Sequence, residues 1–137
     1  MFSGIAPFCL VIAKHAKPKE VWGIEINKLA HKYAMENVKL NQLDNVQLVH
    51  GDVSKIVPPM KKKFDRVIMP LPRDADSFLD LALDVVKKNG IIHLYQFAGV
   101  KQIPEVKKMY RKQFSKVSAH ICSQYAPHVY KICLDLQ

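Results

Sequence analysis

A chain of 137 residues with 49% apolar and 24% charged residues is long enough for one packed domain and too short for two. Its longest apolar run, residues 5–13, falls well short of a membrane span, and no basic leader precedes it, so a cytoplasmic protein with no membrane contact is expected. The 21 Lys and Arg against 12 Asp and Glu leave a net charge of +9, which favours a polyanionic partner and salt-sensitive association.

Part of that excess is clustered, in Lys61-Lys62-Lys63 and in Lys101, Lys107, Lys108, Arg111, Lys112 and Lys116. Cys9, Cys122 and Cys133 are odd in number and lack CxxC spacing, and two of them sit in apolar strand-like runs. Free buried thiols are expected, not disulfides. The six histidines show no ligand spacing, so no metal site is expected.

In chain order, residues 6–16 suit a buried helix with Pro7 in its first turn, where a missing N–H costs little. Residues 21–26 read as a short buried strand. Residues 28–41 place Leu29, Ala30, Tyr33, Ala34 and Val38 on one helical face, with Asn27 as N-cap. Residues 46–50 form the next strand, closed by Gly51-Asp52, and 65–69 another after a polar loop. Residues 76–88 repeat the helical period, with Asp76 near the start and Gly90 just past the end. Residues 91–95 form a strand, 102–114 a helix with Ile103, Val106, Met109, Tyr110 and Phe114 inward, and 116–122 and 129–136 two final strands around Ala126-Pro127-His128. Strands alternating with helices predict an α/β fold with a mostly parallel sheet; the last two strands, with no helix between them, should pair antiparallel at its edge.

Two segments carry chemistry. Phe2-Ser3-Gly4-Ile5-Ala6-Pro7-Phe8 is a small-residue turn opening a helix, and Val21-Trp22-Gly23-Ile24-Glu25-Ile26-Asn27 is a strand ending in a carboxylate. In α/β folds this pairing holds a nucleoside-bearing cofactor: amides at the turn face one end of the ligand, and the carboxylate grips the ribose hydroxyls.

Together these segments resemble a Rossmann-like class I S-adenosylmethionine-dependent methyltransferase, and more closely the tRNA (guanine-37-N1)-methyltransferase family of archaea and eukaryotes. The resemblance covers nearly the whole chain: the turn at 1–8; Gly23-Ile24-Glu25-Ile26-Asn27 with Tyr33, Glu36-Asn37 and Leu40-Asn41; Gly51-Asp52-Val53; and Phe64-Asp65-Arg66-Val67-Ile68-Met69-Pro70-Leu71-Pro72 followed by Phe78-Leu79-Asp80. Ile91-Ile92-His93-Leu94-Tyr95 and the closing Tyr125-Ala126-Pro127 with Asp135 match in kind.

The resemblance implies a single domain over 1–137 that binds S-adenosyl-L-methionine. Phe2, Gly4, Ile5 and Ala6 would form the turn beside its methionine part, with Gly4 and Ala6 small enough for close backbone approach. Glu25 would accept from both ribose hydroxyls, Asp52 from the adenine amino group, and the Val53 amide would donate to a ring nitrogen; Ile26 and Ile5 would line the adenine slot. Pro70 would close the cofactor site and, with Leu71, Pro72 and Arg73, form the substrate loop. Where many relatives carry an asparagine this chain has Pro70, which leaves only a backbone carbonyl to accept from a guanine edge. Arg73 either contacts the nucleotide or begins the next helix.

The implied reaction is methyl transfer to guanine N1 beside the tRNA anticodon. Two alternatives stay open: an aminocarboxypropyl transferase of the wybutosine pathway, and a non-catalytic cofactor- or RNA-binding remnant or partner subunit. In the family the proposed general base and an assisting arginine lie upstream of the first motif, so the catalytic base is unknown here. The first strand of the sheet is likewise expected to be missing, which leaves two inner edges unpaired at roughly 1–3 kcal/mol per buried amide. The chain is then a fragment, a degenerate remnant, or completed by an upstream polypeptide or N-terminal domain. An isolated chain of this kind is expected to be poorly stable and inactive on tRNA.

Overall fold

The computed structural model describes residues 1–70 and 75–137. They group into two compact units, Met1–Pro59 and Met60–Gln137.

In the first unit, helix α1 (Pro7–His15) begins after Ala6, which takes a left-handed conformation (φ 68°), and Pro7 occupies the first turn. Strand β1 (Val21–Glu25) pairs in parallel with β2 (Val46–His50), Val21 opposite Val46 and Glu25 opposite His50. Between them runs α2 (Lys28–Leu40), whose N-cap Asn27 accepts the amides of Leu29 and Ala30 through Oδ1 at 2.9 and 3.1 Å. That cap was predicted from sequence. A short helix, α3 (Val53–Ile56), follows β2.

The core of this unit is built from small residues: Ala6, Cys9, Ala13, Ala34 and Val46, with Leu10, Val21, Val38, Leu43 and Leu48 packed against them. Small side chains let the helices sit close to the strands. Gly23 marks the tightest place, since a Cβ there would lie 2.7 Å from Leu48 Cδ2, 3.0 Å from Cys9 Sγ and 3.1 Å from Ser3 Cβ. The predicted inward face of α2 is narrower than expected: Ala34 is fully buried, whereas Leu29 and Tyr33 are exposed.

In the second unit, β3 (Phe64–Met69) pairs in parallel with β4 (Val86–Gly99). Strand β6 (Val129–Leu136) lies antiparallel between β4 and β5 (Val117–Ala126), giving the order β3-β4-β6-β5. The expected antiparallel hairpin is present, with Ala126 opposite Val129 and Pro127-His128 as its loop. One face is apolar: Ile92 opposes Leu136 and Leu94 opposes Leu134, all essentially inaccessible, with Val67 and Met69 on β3. Each such buried side chain contributes roughly 1.5–3 kcal/mol. Leu79, Ala82 and Val85 of α4 (Leu79–Val85) and Tyr110 of α5 (Ile103–Tyr110) are buried with them.

Two predicted boundaries shift. The helix expected over 76–88 is a 3-10 turn (Ala75–Phe78) and then α4, and the chain is extended from Val86 onward. Gly90 therefore lies inside β4 and does not cap a helix. The helical period ran on because Val85-Val86 fits a helix face and a strand equally well. The helix expected over 102–114 ends at Tyr110, although Phe114 is buried as predicted. Among the described residues no helix is long and apolar enough to cross a membrane.

Candidate functional site

The carboxyl ends of β1 and β2 and the turn ahead of α1 meet within the first unit. Gly4 adopts φ +55°, a conformation open to glycine at little cost, and nothing lies within 4 Å of where its Cβ would be. The Ser3 amide donates to the Ile24 carbonyl at 3.0 Å, which ties this turn to β1. Asn37 of α2 donates from Nδ2 to the Ile5 carbonyl at 3.0 Å and holds its other side.

Glu25 is the pivot. Its Oε2 accepts the Gly4 amide at 2.7 Å, and its Oε1 accepts the Asn27 amide at 2.8 Å. One carboxylate thus joins the turn, the strand end and the start of α2. A carboxylate offers about four lone-pair sites. Two are engaged by these amides, so each oxygen keeps acceptor capacity for a vicinal diol.

The Gly51 amide donates to the Glu25 carbonyl at 2.9 Å and sets the next turn against β1. Asp52 caps α3, its Oδ1 accepting the Ser54 amide at 2.9 Å. That bond, with a further one from the Ser54 side chain, holds the Asp52 carboxyl below its ordinary value; Lys55 adds a smaller pull in the same direction. Val53 is buried, and as the first residue of α3 its N–H has no intrahelical acceptor.

Ile5 is 51% exposed and Ile26 64% exposed. Both are bare apolar side chains beside a polar turn, suited to flank a flat ring. The Ser3 hydroxyl is buried without a hydrogen-bond partner. Sequence reasoning passed over Ser3, although a hydroxyl inside that turn was the available signal.

Of the predicted cofactor residues, Phe2, Gly4, Ile5, Ala6, Glu25, Ile26, Asp52 and Val53 all belong to the first unit. Hydrogen bonds join Gly4, Glu25 and the Gly51-Asp52 turn directly. Pro70 belongs to the second unit, directly after β3, and is half-buried. Leu71, Pro72 and Arg73 lie outside the described residues. A separate recess of about 620 Å³ is lined by α2 residues including Leu29, Lys32 and Met35, together with His50, and includes none of the predicted site residues.

The cysteines depart from expectation at one position. Cys9 and Cys133 are buried free thiols, but Cys122 is exposed. It lies on β5, where only Val117 is fully buried, so the apolar look of that run reflects strand propensity and not burial.

Residues 1–124 match the family described as the TRM5/TYW2 methyltransferase domain. The chain is 36% identical over 138 residues to the tRNA 4-demethylwyosine(37)-methyltransferase Taw21 of Saccharolobus solfataricus, across all of this chain and 52% of that protein. It is 33% identical over 145 residues to the tRNA (guanine(37)-N(1))-methyltransferase Trm5b of Pyrococcus abyssi, across all of this chain and 42% of that protein. It is 34% identical over 143 residues to the tRNA(Phe) (4-demethylwyosine(37)-C(7)) aminocarboxypropyltransferase of Methanocaldococcus jannaschii, across 98% of this chain and 57% of that protein. The chain therefore spans about half the length of the curated relatives it matches.

Among solved structures, M. jannaschii TYW2 in complex with AdoMet superposes with a TM-score of 0.84 at 32% identity, over 99% of this chain and 65% of that one. The complex of aTrm5 and tRNALeu superposes with a TM-score of 0.83 at 33% identity, over 98% of this chain and 39% of that one.

Proposed function

From a chain that belongs to the TRM5/TYW2 methyltransferase domain family, we propose an S-adenosylmethionine-dependent methyltransferase domain that acts on tRNA at guanine N1 of position 37. The observation that carries this reading is the Glu25 carboxylate, fixed between the Gly4 and Asn27 amides at the end of β1 with acceptor capacity left on both oxygens.

The residues present fit the cofactor. Glu25 would take the ribose hydroxyls, the Asp52 carboxylate would take the adenine amino group, and the Val53 N–H would face a ring nitrogen. Ile5 and Ile26, both exposed apolar side chains beside this turn, would flank the adenine. Gly4, with open space where a side chain would be, lets the backbone lie against the methionine part. When bound, S-adenosylmethionine supplies an electrophilic methyl carbon on sulfur.

The protein's contribution is alignment. Rigid hydrogen bonds from the turn and both strand ends fix the position of the cofactor pocket, which converts a bimolecular encounter into an oriented one. In the second unit the Pro70 backbone carbonyl is the acceptor offered to the guanine edge. The net charge of +9, concentrated in part around α5, supplies a salt-sensitive attraction to the tRNA backbone. No residue of 1–137 is assigned the role of taking the N1 proton.

Relatives in the family transfer two different groups to position 37, and 34% identity to an aminocarboxypropyltransferase favours that as the second reading. Product mass separates the two. A tRNA with guanine at position 37, incubated with S-adenosylmethionine and the complete polypeptide carrying this domain, should gain one methyl group at that guanine. Gain of an aminocarboxypropyl group establishes the second reading. An unmodified tRNA in the presence of bound cofactor contradicts both.

A further inference from the structure

The sheet of the second unit carries a cluster that the proposed methyl transfer does not use. Opposite its apolar face, His93 of β4 stands directly across from Asp135 of β6, and His120 of β5 directly across from Cys133 of β6. His93 Nδ1 lies 2.7 Å from Asp135 Oδ1, Cys133 Sγ lies 3.7 Å from the same oxygen, and His120 Nε2 lies 3.4 Å from Asp135 Oδ2. The ligand atoms of His93, Cys133 and Asp135 all fall within 4.8 Å of one another.

We propose that His93, His120, Cys133 and Asp135 form a binding site for a zinc-class divalent cation. Bonds of roughly 2.0–2.3 Å at tetrahedral angles place neighbouring ligand atoms about 3.4–3.6 Å apart. Cys133 Sγ, 3.7 Å from Asp135 Oδ1, is close to this spacing, and the His93–Asp135 Oδ1 hydrogen bond opens by less than one ångström. His120, which lies 3.4 Å from the other carboxylate oxygen, swings in from the exposed side to complete the set. The donor set is also right in kind: imidazole and thiolate select zinc over magnesium or calcium, which prefer oxygen alone. A thiolate and a carboxylate together balance the dication, so the half-buried site would hold no net charge.

The surroundings are built to hold the ligands. The side chain of His93 is 17% exposed and that of Asp135 31%, and three hydrogen-bonded strands fix the backbone positions. Tyr95, opposite Cys133 on β4, hydrogen-bonds the thiol and is placed to steady a thiolate. Burial, reinforced by the Asp135 charge, pushes the Cys133 thiol up to about 12.

Arg66 adds a feature of its own. Its Nη1 lies 3.0 Å from His93 Nε2, and because arginine only donates, it fixes the proton on Nδ1, facing Asp135. Coordination through Nδ1 requires that proton to move to Nε2, which displaces the exposed Arg66 side chain. Sequence spacing gave no sign of the cluster, because strand register brings it together.

Titration of the full chain with Co²⁺, followed by absorption spectroscopy, tests the site. One equivalent should produce a thiolate-to-cobalt charge-transfer band with intense tetrahedral ligand-field bands, and Zn²⁺ should abolish both. Cys133→Ser should remove the charge-transfer band. Because Cys133 is buried, His120→Ala at the exposed end of the cluster provides the check that keeps the fold, and it should weaken binding at least about tenfold. Arg66→Gln, which offers an acceptor to the Nε2–H, should bind more tightly. Absence of saturable binding, a charge-transfer band that survives Cys133→Ser, or unchanged affinity in His120→Ala would overturn the proposal.

Discussion

Glu25 Oε2 accepts the Gly4 amide at 2.7 Å across 21 residues of sequence. This bond makes the carboxylate both a strut for the turn and the predicted ribose acceptor. Replacing it should therefore show in stability and in binding together. Glu25→Ala leaves two amides without their acceptor and is expected to cost about 1–3 kcal/mol after allowing for partial exposure. Urea denaturation measures that cost, and S-adenosylhomocysteine affinity should fall at least about tenfold in the same variant. Glu25→Gln, which keeps one carbonyl acceptor, should recover part of the stability and less of the affinity.

Asp52 gives a prediction with a definite sign. Its folded-state pKa lies below the unfolded value of 3.8, held there by hydrogen bonds from Ser54. Its contribution is therefore fully present above pH 3.8 and is lost as the pH falls below that toward the folded pKa. Asp52→Asn retains an N-cap acceptor but does not titrate. The difference in stability between wild type and Asp52→Asn, measured by denaturation across this acid range, should shrink as the pH falls. A constant difference would contradict the role assigned to the cap.

Gly23 is a packing constraint. A methyl group there meets Leu48, Cys9 and Ser3 at 2.7–3.1 Å, so Gly23→Ala should destabilise by roughly 1–3 kcal/mol through overpacking. Denaturation at constant m-value would register it, and an unchanged midpoint would show that α1 can withdraw from β1 at no cost.

The opposite operation applies in the second unit. Leu94 and Leu134 face each other across β4 and β6, both wholly inaccessible. Truncating either to alanine opens a cavity and should cost about 2–5 kcal/mol. The double variant should fall short of additivity, because the two side chains share one space.

Thiol chemistry separates the three cysteines. Cys122 is exposed, whereas burial raises the pKa of both Cys9 and Cys133. In native conditions at mildly alkaline pH one thiol per chain should react rapidly with an aromatic disulfide reagent, and Cys122→Ser should abolish that phase. The other two should react only on unfolding.

Much of this arrangement was legible beforehand. The N-cap at Asn27, the strands at 46–50 and 129–136 and the closing hairpin follow from local chemistry: a short polar side chain, short apolar runs bounded by turn residues, and a proline-histidine turn. The sequence places the Gly4 turn and the strand-terminal Glu25 in one candidate site, and the two are joined by a hydrogen bond in the fold. The second use of Glu25, as acceptor for two backbone amides, was not visible, since hydrogen bonds to the backbone leave no residue pattern. Val85-Val86 misled because apolar periodicity cannot place a helix-to-strand switch. Leu29 and Tyr33 misled because a helix stripe shows which residues share a face and not whether that face is covered. The juxtaposition of His93, Cys133 and Asp135 depends on cross-strand register, which lies outside any short window.

The turn at Gly4, the Glu25 carboxylate and the Asp52-Val53 step are proposed to form one cofactor pocket. Calorimetric titration of the purified chain with S-adenosylhomocysteine tests it most directly, with Asp52→Ala and Glu25→Gln as controls. Saturable binding at one site per chain, weakened at least about tenfold in both variants, is the predicted result. A folded chain that binds no S-adenosylhomocysteine, or binds it equally well in all three forms, would contradict the account.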